Sequence, residues 1–219
     1  MARSACAHRT YPRLGIILIA LIVYWCASSP AIAEVTPDCF DPVRSFGPFD
    51  YRTASEKNKQ LVEGAHFTRE VETLRGGHSG LIGGDIDYTL RAFPNHPRAL
   101  QSMMKLGEVQ KTERPRGARF TVECYFARGV RFAPDDGAVK ILYGIYLLRR
   151  GQKNEAVEQL QAAQELVGDN PNLHYNLGLA YFDLKVYDKA LMHAQKAYEL
   201  GFPLPGLRDK LKQAGKWRD

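Results

Sequence analysis

The sequence predicts an all-α protein in which antiparallel helix pairs stack into an α-solenoid. A pattern of glycine, large apolar and small residues recurs after 34 residues, which fits the length of one helix pair. Proline residues fall at the starts of predicted helices, as at Pro171, where the missing N–H costs no hydrogen bond. The array is predicted to span residues 84–203. An irregular N-terminal arm (34–83) precedes it, and a capping helix with a tail (204–219) shields its last apolar face.

Residues 1–33 have the composition of a cleaved signal peptide. A start with three arginines is followed by an uncharged run and by small residues that end at Ala33. The apolar stretch 14–27 is shorter than the roughly 20 residues of a membrane-spanning helix, so cleavage after Ala33 is predicted rather than an anchor. Lipid attachment at Cys26 is disfavoured, because bulky aromatic residues precede it. We therefore expect a periplasmic or secreted protein with no stable membrane insertion.

Removal of this leader leaves little net charge. The full chain has a formal charge of +6, but the leader contains three arginines and no acidic residue, which leaves +3. Many of the remaining basic residues lie at 208–218, where a solvated helix face explains them. The charge therefore does not predict nucleic acid as a partner.

The repeat is clearest in the C-terminal half of the chain. Gly144 and Gly178 are equivalent, and small residues recur on the second helix of each pair, at Ala156 and Ala163 and again at Ala190 and Ala197. Small residues let two helices approach closely where they cross. Upstream, Pro94 and Pro134 mark two further junctions 40 residues apart, so that unit is predicted to contain a longer loop at 111–117.

This spacing resembles the tetratricopeptide repeat (TPR), whose unit is a pair of antiparallel helices. The resemblance covers about residues 84–203, with two regular units, one irregular unit and half of another before them. It implies a superhelix that binds a protein or peptide on the concave wall lined by the first helix of each unit. The predicted partner-binding residues are Ile141, Ile145, Leu148 and Arg149 in one unit and Tyr175, Asn176, Leu179 and Phe182 in the next.

This predicted wall is mostly apolar, which suits a helical or extended peptide with hydrophobic anchors. One TPR subgroup clamps a C-terminal carboxylate with polar residues, and only Asn176 is similar to them, so that ligand is disfavoured. Two other interpretations stay open. Either the arm fills the groove in the same chain through Phe46 and Phe49, or the wall residues form ordinary core.

Two cysteines, Cys39 and Cys124, remain after removal of the leader. An even number in an oxidising compartment favours a disulfide, and closing so long a loop would stabilise the fold by roughly 4 to 5 kcal/mol. The alternative is that Cys124 is a buried apolar residue and Cys39 lies in a loose arm.

The sequence predicts no catalytic residue and no metal or cofactor site. The glycine-rich segment 76–84 lacks the Lys-Ser/Thr pair of a phosphate loop, and Leu81 stands two residues beyond Ser79, where a nucleophile elbow has a glycine. No two histidines stand three or four residues apart. His66, His174 and His193 are therefore interpreted as packed or surface residues on helices.

The predicted function is a non-catalytic interaction module, an adaptor or assembly subunit of an envelope complex. One alternative is a small metal-dependent or hydrolytic enzyme whose site lies in the arm, around His66 and His78. Another is a permanent structural piece of a larger oligomer.

Overall fold

The computed structural model describes residues 37–40 and 46–218, and the predicted signal peptide lies outside them. Within the described residues the secondary structure is helical, with no β-strand, which confirms the all-α fold class. A short 3₁₀ helix spans Pro37–Phe40. The α-helices are α1 (Glu56–His66), α2 (Arg69–Glu72), α3 (Ile82–Ala92), α4 (Pro97–Gln110), α5 (Val122–Phe132), α6 (Gly137–Arg149), α7 (Lys153–Val167), α8 (Pro171–Asp183), α9 (Tyr187–Glu199) and α10 (Gly206–Gln213).

The helices pack as a stack of hairpins. Three-residue turns join α6 to α7 and α8 to α9, and the two helices of each pair are in extensive contact. Helices α1 with α3 and α4 with α5 also pack together, across longer connections. Helix α10 packs on α8 and α9 and closes the C-terminal end of the stack.

Close helix crossings explain the repeated glycines. A Cβ at Gly144 would stand 2.6 Å from Leu160 Cγ and 3.3 Å from the Ala156 carbonyl oxygen. A Cβ at Gly178 would clash with Leu207 of α10 and approach the Ala190 carbonyl oxygen to 3.3 Å. The alanines predicted at the crossings, Ala156, Ala163, Ala190 and Ala197, are fully buried. Small residues therefore set the short distance between helices, and Gly178 also makes room for the capping helix.

The arm contributes two helices and an aromatic cluster. The helices are α1 and the short α2, and α1 packs on α3. Before α1, the Phe49 ring lies 6.1 Å from the Phe93 ring, and the Phe49 N–H donates to the Ala92 carbonyl at 2.8 Å. The Tyr51 ring lies 4.0 Å from the His96 ring. Residues 46–54 thus pack on the turn between α3 and α4.

A buried polar network joins this arm to the stack. The Asn95 side chain is fully buried and donates to Asp50 at 2.7 Å and to Asp136 at 2.9 Å. Arg52 pairs with Asp50 at 2.6 Å and with Asp135 at 2.9 Å. The hydrogen bond from Arg52 lowers the pKa of Asp50 to about 2, so this carboxylate stays charged at neutral pH. The network therefore links three segments distant in sequence.

Candidate partner-binding face

The first helices of three units lie side by side, because α6 packs on both α4 and α8. Two of the predicted partner-binding residues are buried. Ile141 is 7% exposed and belongs to a core cluster with Leu173 and Leu177. Asn176 is 8% exposed, and its side-chain amide donates to the Asn172 carbonyl at 2.7 Å. These two side chains lie in the core, as one of the interpretations left open by the sequence allowed.

Three further predicted residues, Ile145, Leu148 and Leu179, are half-buried and pack against the C-terminal core. Arg149 is exposed at the C-terminal end of α6. Only part of each apolar side chain is therefore accessible from outside, and the Arg149 side chain beside them is about half-exposed.

The chain's own C-terminal segment covers the part of the face that belongs to α8. The Tyr175 ring stacks on the Phe202 ring, with 4.0 Å between their centroids. Lys210 of α10 places its ammonium group 5.5 Å from the centroid of the Phe182 ring. Sequence reasoning placed Tyr175 and Phe182 on the wall but did not foresee this cover.

A cleft of about 320 Å³ opens at the C-terminal ends of α4 and α6. Ion pairs cross it, one between Arg149 and Glu108 at 2.6 Å and one between Arg150 and Glu113. Tyr146 lines it and lies within 3.5 Å of Glu113, and burial raises the pKa of Tyr146, so the phenol stays neutral. The lining residues are Met104, Gly107, Glu108, Lys111, Thr112, Glu113, Tyr146, Arg149 and Arg150. Of these, the sequence had singled out Arg149.

The aromatic residues of the arm that were candidates to fill the groove lie elsewhere. The Phe46 and Phe49 rings are 5.2 Å apart, and Phe49 continues onto Phe93. Phe49 belongs to a cluster with Ala92 and Phe93, at the end of α3. The ring contacts of Phe46 and Phe49 are thus with the arm and α3.

The 3₁₀ helix is tied to α5. Cys39 and Cys124 form a disulfide in the structure, with their Cα atoms 5.5 Å apart. Arg128 donates to the Cys39 carbonyl at 2.6 Å, and the Arg131 guanidinium lies 4.5 Å from the centroid of the Phe40 ring. These contacts hold residues 37–40 on the second helix of the α4–α5 pair.

A Ser-His-Asp cluster lies where the arm meets α3, and it bears on the alternative of a hydrolytic enzyme. The His66 Nδ1 atom lies 3.0 Å from Asp85 and 3.2 Å from the Ser79 hydroxyl, which itself bonds Asp85. Burial raises the pKa of Asp85, but hydrogen bonds from Ser79, His66 and the backbone of residue 78 outweigh it and leave the pKa lowered. A catalytic triad needs the serine and the aspartate on opposite nitrogens of the ring. Here both share one nitrogen, so the cluster fastens the glycine-rich turn to α3.

The fold also brings together two histidines that are 19 residues apart. His174 on α8 and His193 on α9 are buried, and their Nδ1 atoms lie 2.9 Å apart. His174 Nε2 lies 3.1 Å from Asp169. Burial and the neighbouring His174 lower the pKa of His193 to about 4. The pair forms a hydrogen bond between α8 and α9. The described residues contain no group of three or more metal-ligating side chains. The sequence contained a signal for this pair, because a histidine stands on each of the two helices of the last unit, His174 on α8 and His193 on α9.

Comparison with known proteins supports the repeat assignment. Residues 147–185 match the model of the TPR repeat, and these residues run from the end of α6 through α8. Intraflagellar transport protein 70A of Bos taurus is 35% identical over 113 residues, and the protein of that name in Danio rerio is 29% identical over 102 residues. The alignments cover 50% and 47% of this chain but only 16% and 14% of those relatives.

A solved structure shows the same fold. The MamA RS-1 ArsTM double mutant superposes with a TM-score of 0.51, covering 74% of this chain and 86% of that one, at 20% sequence identity. At this identity the likeness concerns the fold alone. The chain therefore carries a TPR repeat within a TPR-like helical stack. No helix in the described residues has the length and apolar character that crossing a membrane requires.

Proposed function

We propose that this protein is a non-catalytic interaction module that holds a protein or peptide partner. The partner lies over α4 and α6, on the face formed by the first helices of the units. The supporting observation is that two stacked first helices meet there in an open cleft of about 320 Å³. Beside it, Ile145 and Leu148 present part of their apolar surface, and Arg149 is exposed. Apolar anchors with a charged rim suit an extended or helical peptide.

We further propose that the protein works in an exported compartment, as an adaptor or assembly subunit of an envelope complex. The leader pattern of residues 1–33 and the Cys39–Cys124 disulfide support this, because disulfides persist in oxidising compartments. Reducing and non-reducing mass spectrometry of the protein from its native compartment tests both points. A mature chain that begins at Glu34 and is two mass units lighter without reductant than with it supports the proposal. A chain with an intact leader and two free thiols contradicts it.

Site-specific photo-cross-linking tests the partner-binding function in intact cells. A photo-reactive phenylalanine at Lys111, which lines the cleft, is expected to capture one defined partner protein. The same group at Glu158, exposed on α7 in the adjacent layer, is the matched control. If both positions capture the same proteins at equal yield, or if neither captures any, the cleft is not a binding site.

A further inference from the structure

The two arginines of the cleft already hold carboxylates. Arg149 pairs with Glu108 at 2.6 Å and Arg150 pairs with Glu113, so the end of α6 is linked to the end of α4 and to the loop that follows it. All four side chains are roughly half-exposed, at 51% and 46% in the first pair and 49% and 51% in the second. Ion pairs this exposed contribute little to stability, since water screens them. Each internal carboxylate can therefore be exchanged for an external one at small cost.

Cations outnumber anions by one among the residues that line this cleft. Lys111, Arg149 and Arg150 are positively charged, and Glu108 and Glu113 are negatively charged. Lys111 is exposed and forms no ion pair within the described residues, so one cation of the lining is left for an external anion. This cation favours an acidic ligand over a basic one.

The floor of the cleft is apolar. Met104 and Gly107 are buried, and the neutral Tyr146 ring completes the floor. A bare chain of phosphates would leave this floor unfilled, whereas a peptide can place an apolar side chain there beside a carboxylate. Both arginines pair with carboxylates in the structure.

We propose that the α4–α6 cleft binds an acidic peptide segment of a partner protein, with the partner's carboxylates replacing Glu108 and Glu113 on Arg149 and Arg150. Glu108 and Glu113 act as internal placeholders that weaken binding of other ligands and keep the arginines extended. This inference rests on the proposed function and names the chemistry of its partner.

The test uses the purified protein and a fluorescein-labelled ten-residue peptide of alternating glutamate and leucine, followed by fluorescence anisotropy at 0.15 M salt. The double variant Arg149→Gln/Arg150→Gln is expected to lower the affinity at least tenfold. A matched loss of two exposed charges, Lys212→Gln/Arg218→Gln, is expected to change it less than twofold. Equal effects of the two double variants would show that only overall charge matters and would overturn the proposal.

The placeholder role gives a second, opposite test that an unfolded variant cannot imitate. Glu108→Gln/Glu113→Gln is expected to raise the affinity about fivefold, which is about 1 kcal/mol. Glu158→Gln/Glu165→Gln, with the same change of charge at exposed α7 positions, is expected to raise it less than twofold. No gain for the first variant over the second contradicts the placeholder role.

Two further ligands separate the remaining outcomes. A lysine–leucine peptide of the same length is expected not to bind, and ten-residue oligothymidylate is expected to bind more weakly than the acidic peptide. Stronger binding of the oligothymidylate, lost in Arg149→Gln/Arg150→Gln, would overturn the proposal in favour of nucleic acid. If cross-linking from Lys111 captures a partner and the acidic peptide does not bind, the chemistry proposed for the partner is wrong while the interaction function stands. If both fail, both proposals fall.

Discussion

The C-terminal hairpins, α6 with α7 and α8 with α9, differ from the N-terminal pairs, α1 with α3 and α4 with α5, in how their helices are held together. In the C-terminal pairs a three-residue turn and fully buried alanines fix the crossing. In the N-terminal pairs the connections are 15 and 11 residues long, and the supporting contacts come from distant parts of the chain. They include the Cys39–Cys124 disulfide and the hydrogen bonds of Asn95.

The difference shows that one architecture can be stabilised in two ways. A short turn keeps two helices close at little entropic cost, so small residues at the crossing are enough. A longer connection allows more unfolded conformations, and the cost of closing it must be offset by further contacts. We therefore expect variants in the two halves to respond to different perturbations.

The largest expected effect is loss of the disulfide, which acts on the N-terminal half. Cys39→Ser combined with Cys124→Ala removes a cross-link between residues 85 apart, and the free energy of unfolding is expected to fall by about 4 to 5 kcal/mol. Urea denaturation followed by circular dichroism measures this change. Unmodified protein treated with a reductant should show the same shift. A change below about 1 kcal/mol would mean that the N-terminal pairs do not depend on this tether.

The next effect is pH-dependent and has a source in each half. Burial lowers the folded-state pKa of His193 to about 4 and that of His96 to about 4, so between pH 6.5 and 4 the unfolded chain binds protons there that the native protein does not. The free energy of unfolding therefore falls as the pH drops through this window, by up to about 3 kcal/mol for His193 alone. Urea midpoints at pH 7 and pH 4.5 measure the loss. His193→Gln should remove only the part of the pH dependence that comes from the C-terminal half, whereas His78→Gln, at an exposed position, should leave the pH dependence unchanged.

A smaller effect contrasts one glycine from each half. Gly144→Ala is expected to destabilise the protein by about 2 kcal/mol, because the new methyl group would overlap Leu160. Gly64 lies within α1 with no atom near its potential Cβ, so Gly64→Ala is expected to stabilise by about 0.5 to 1 kcal/mol through helix propensity. Thermal or urea unfolding of both variants checks the opposite signs. Two changes of the same sign would show that the contact with Leu160 does not limit the residue at position 144.

The smallest effect concerns helix starts, where the two halves are expected to agree. Asn170 accepts a hydrogen bond from the Leu173 N–H at the start of α8, and Thr121 accepts one from the Cys124 N–H at the start of α5. Replacing either residue by alanine is expected to cost about 1 kcal/mol. Urea denaturation of the two variants tests this equality. A cost several times larger at Thr121 would mean that capping, too, is more important in the N-terminal half.

Much of the fold was predictable because its signals are local. The repeated glycine and alanine positions predicted the C-terminal hairpins, and Pro171 marked the start of α8. The extended loop expected at 111–117 lies within the 111–121 connection. The candidate site was less predictable. Arg149 was predicted as a partner-binding residue, and it lines the cleft. Glu108 and Glu113 also line the cleft, but they were not predicted, because their unit is irregular and they have no equivalents one repeat length away.

The sequence alone determined the all-α class, the period of the helix pairs and the small residues at the helix crossings, because helix-forming patterns and a 34-residue repeat can both be read along the chain. Only the tertiary structure decided which distant groups meet. It joined His174 to His193, placed Phe202 and α10 over the α8 part of the predicted wall, and directed Phe49 onto Phe93. The physical reason is that helix propensity, capping and hydrophobic periodicity act along the chain, whereas these contacts depend on how separate helices pack.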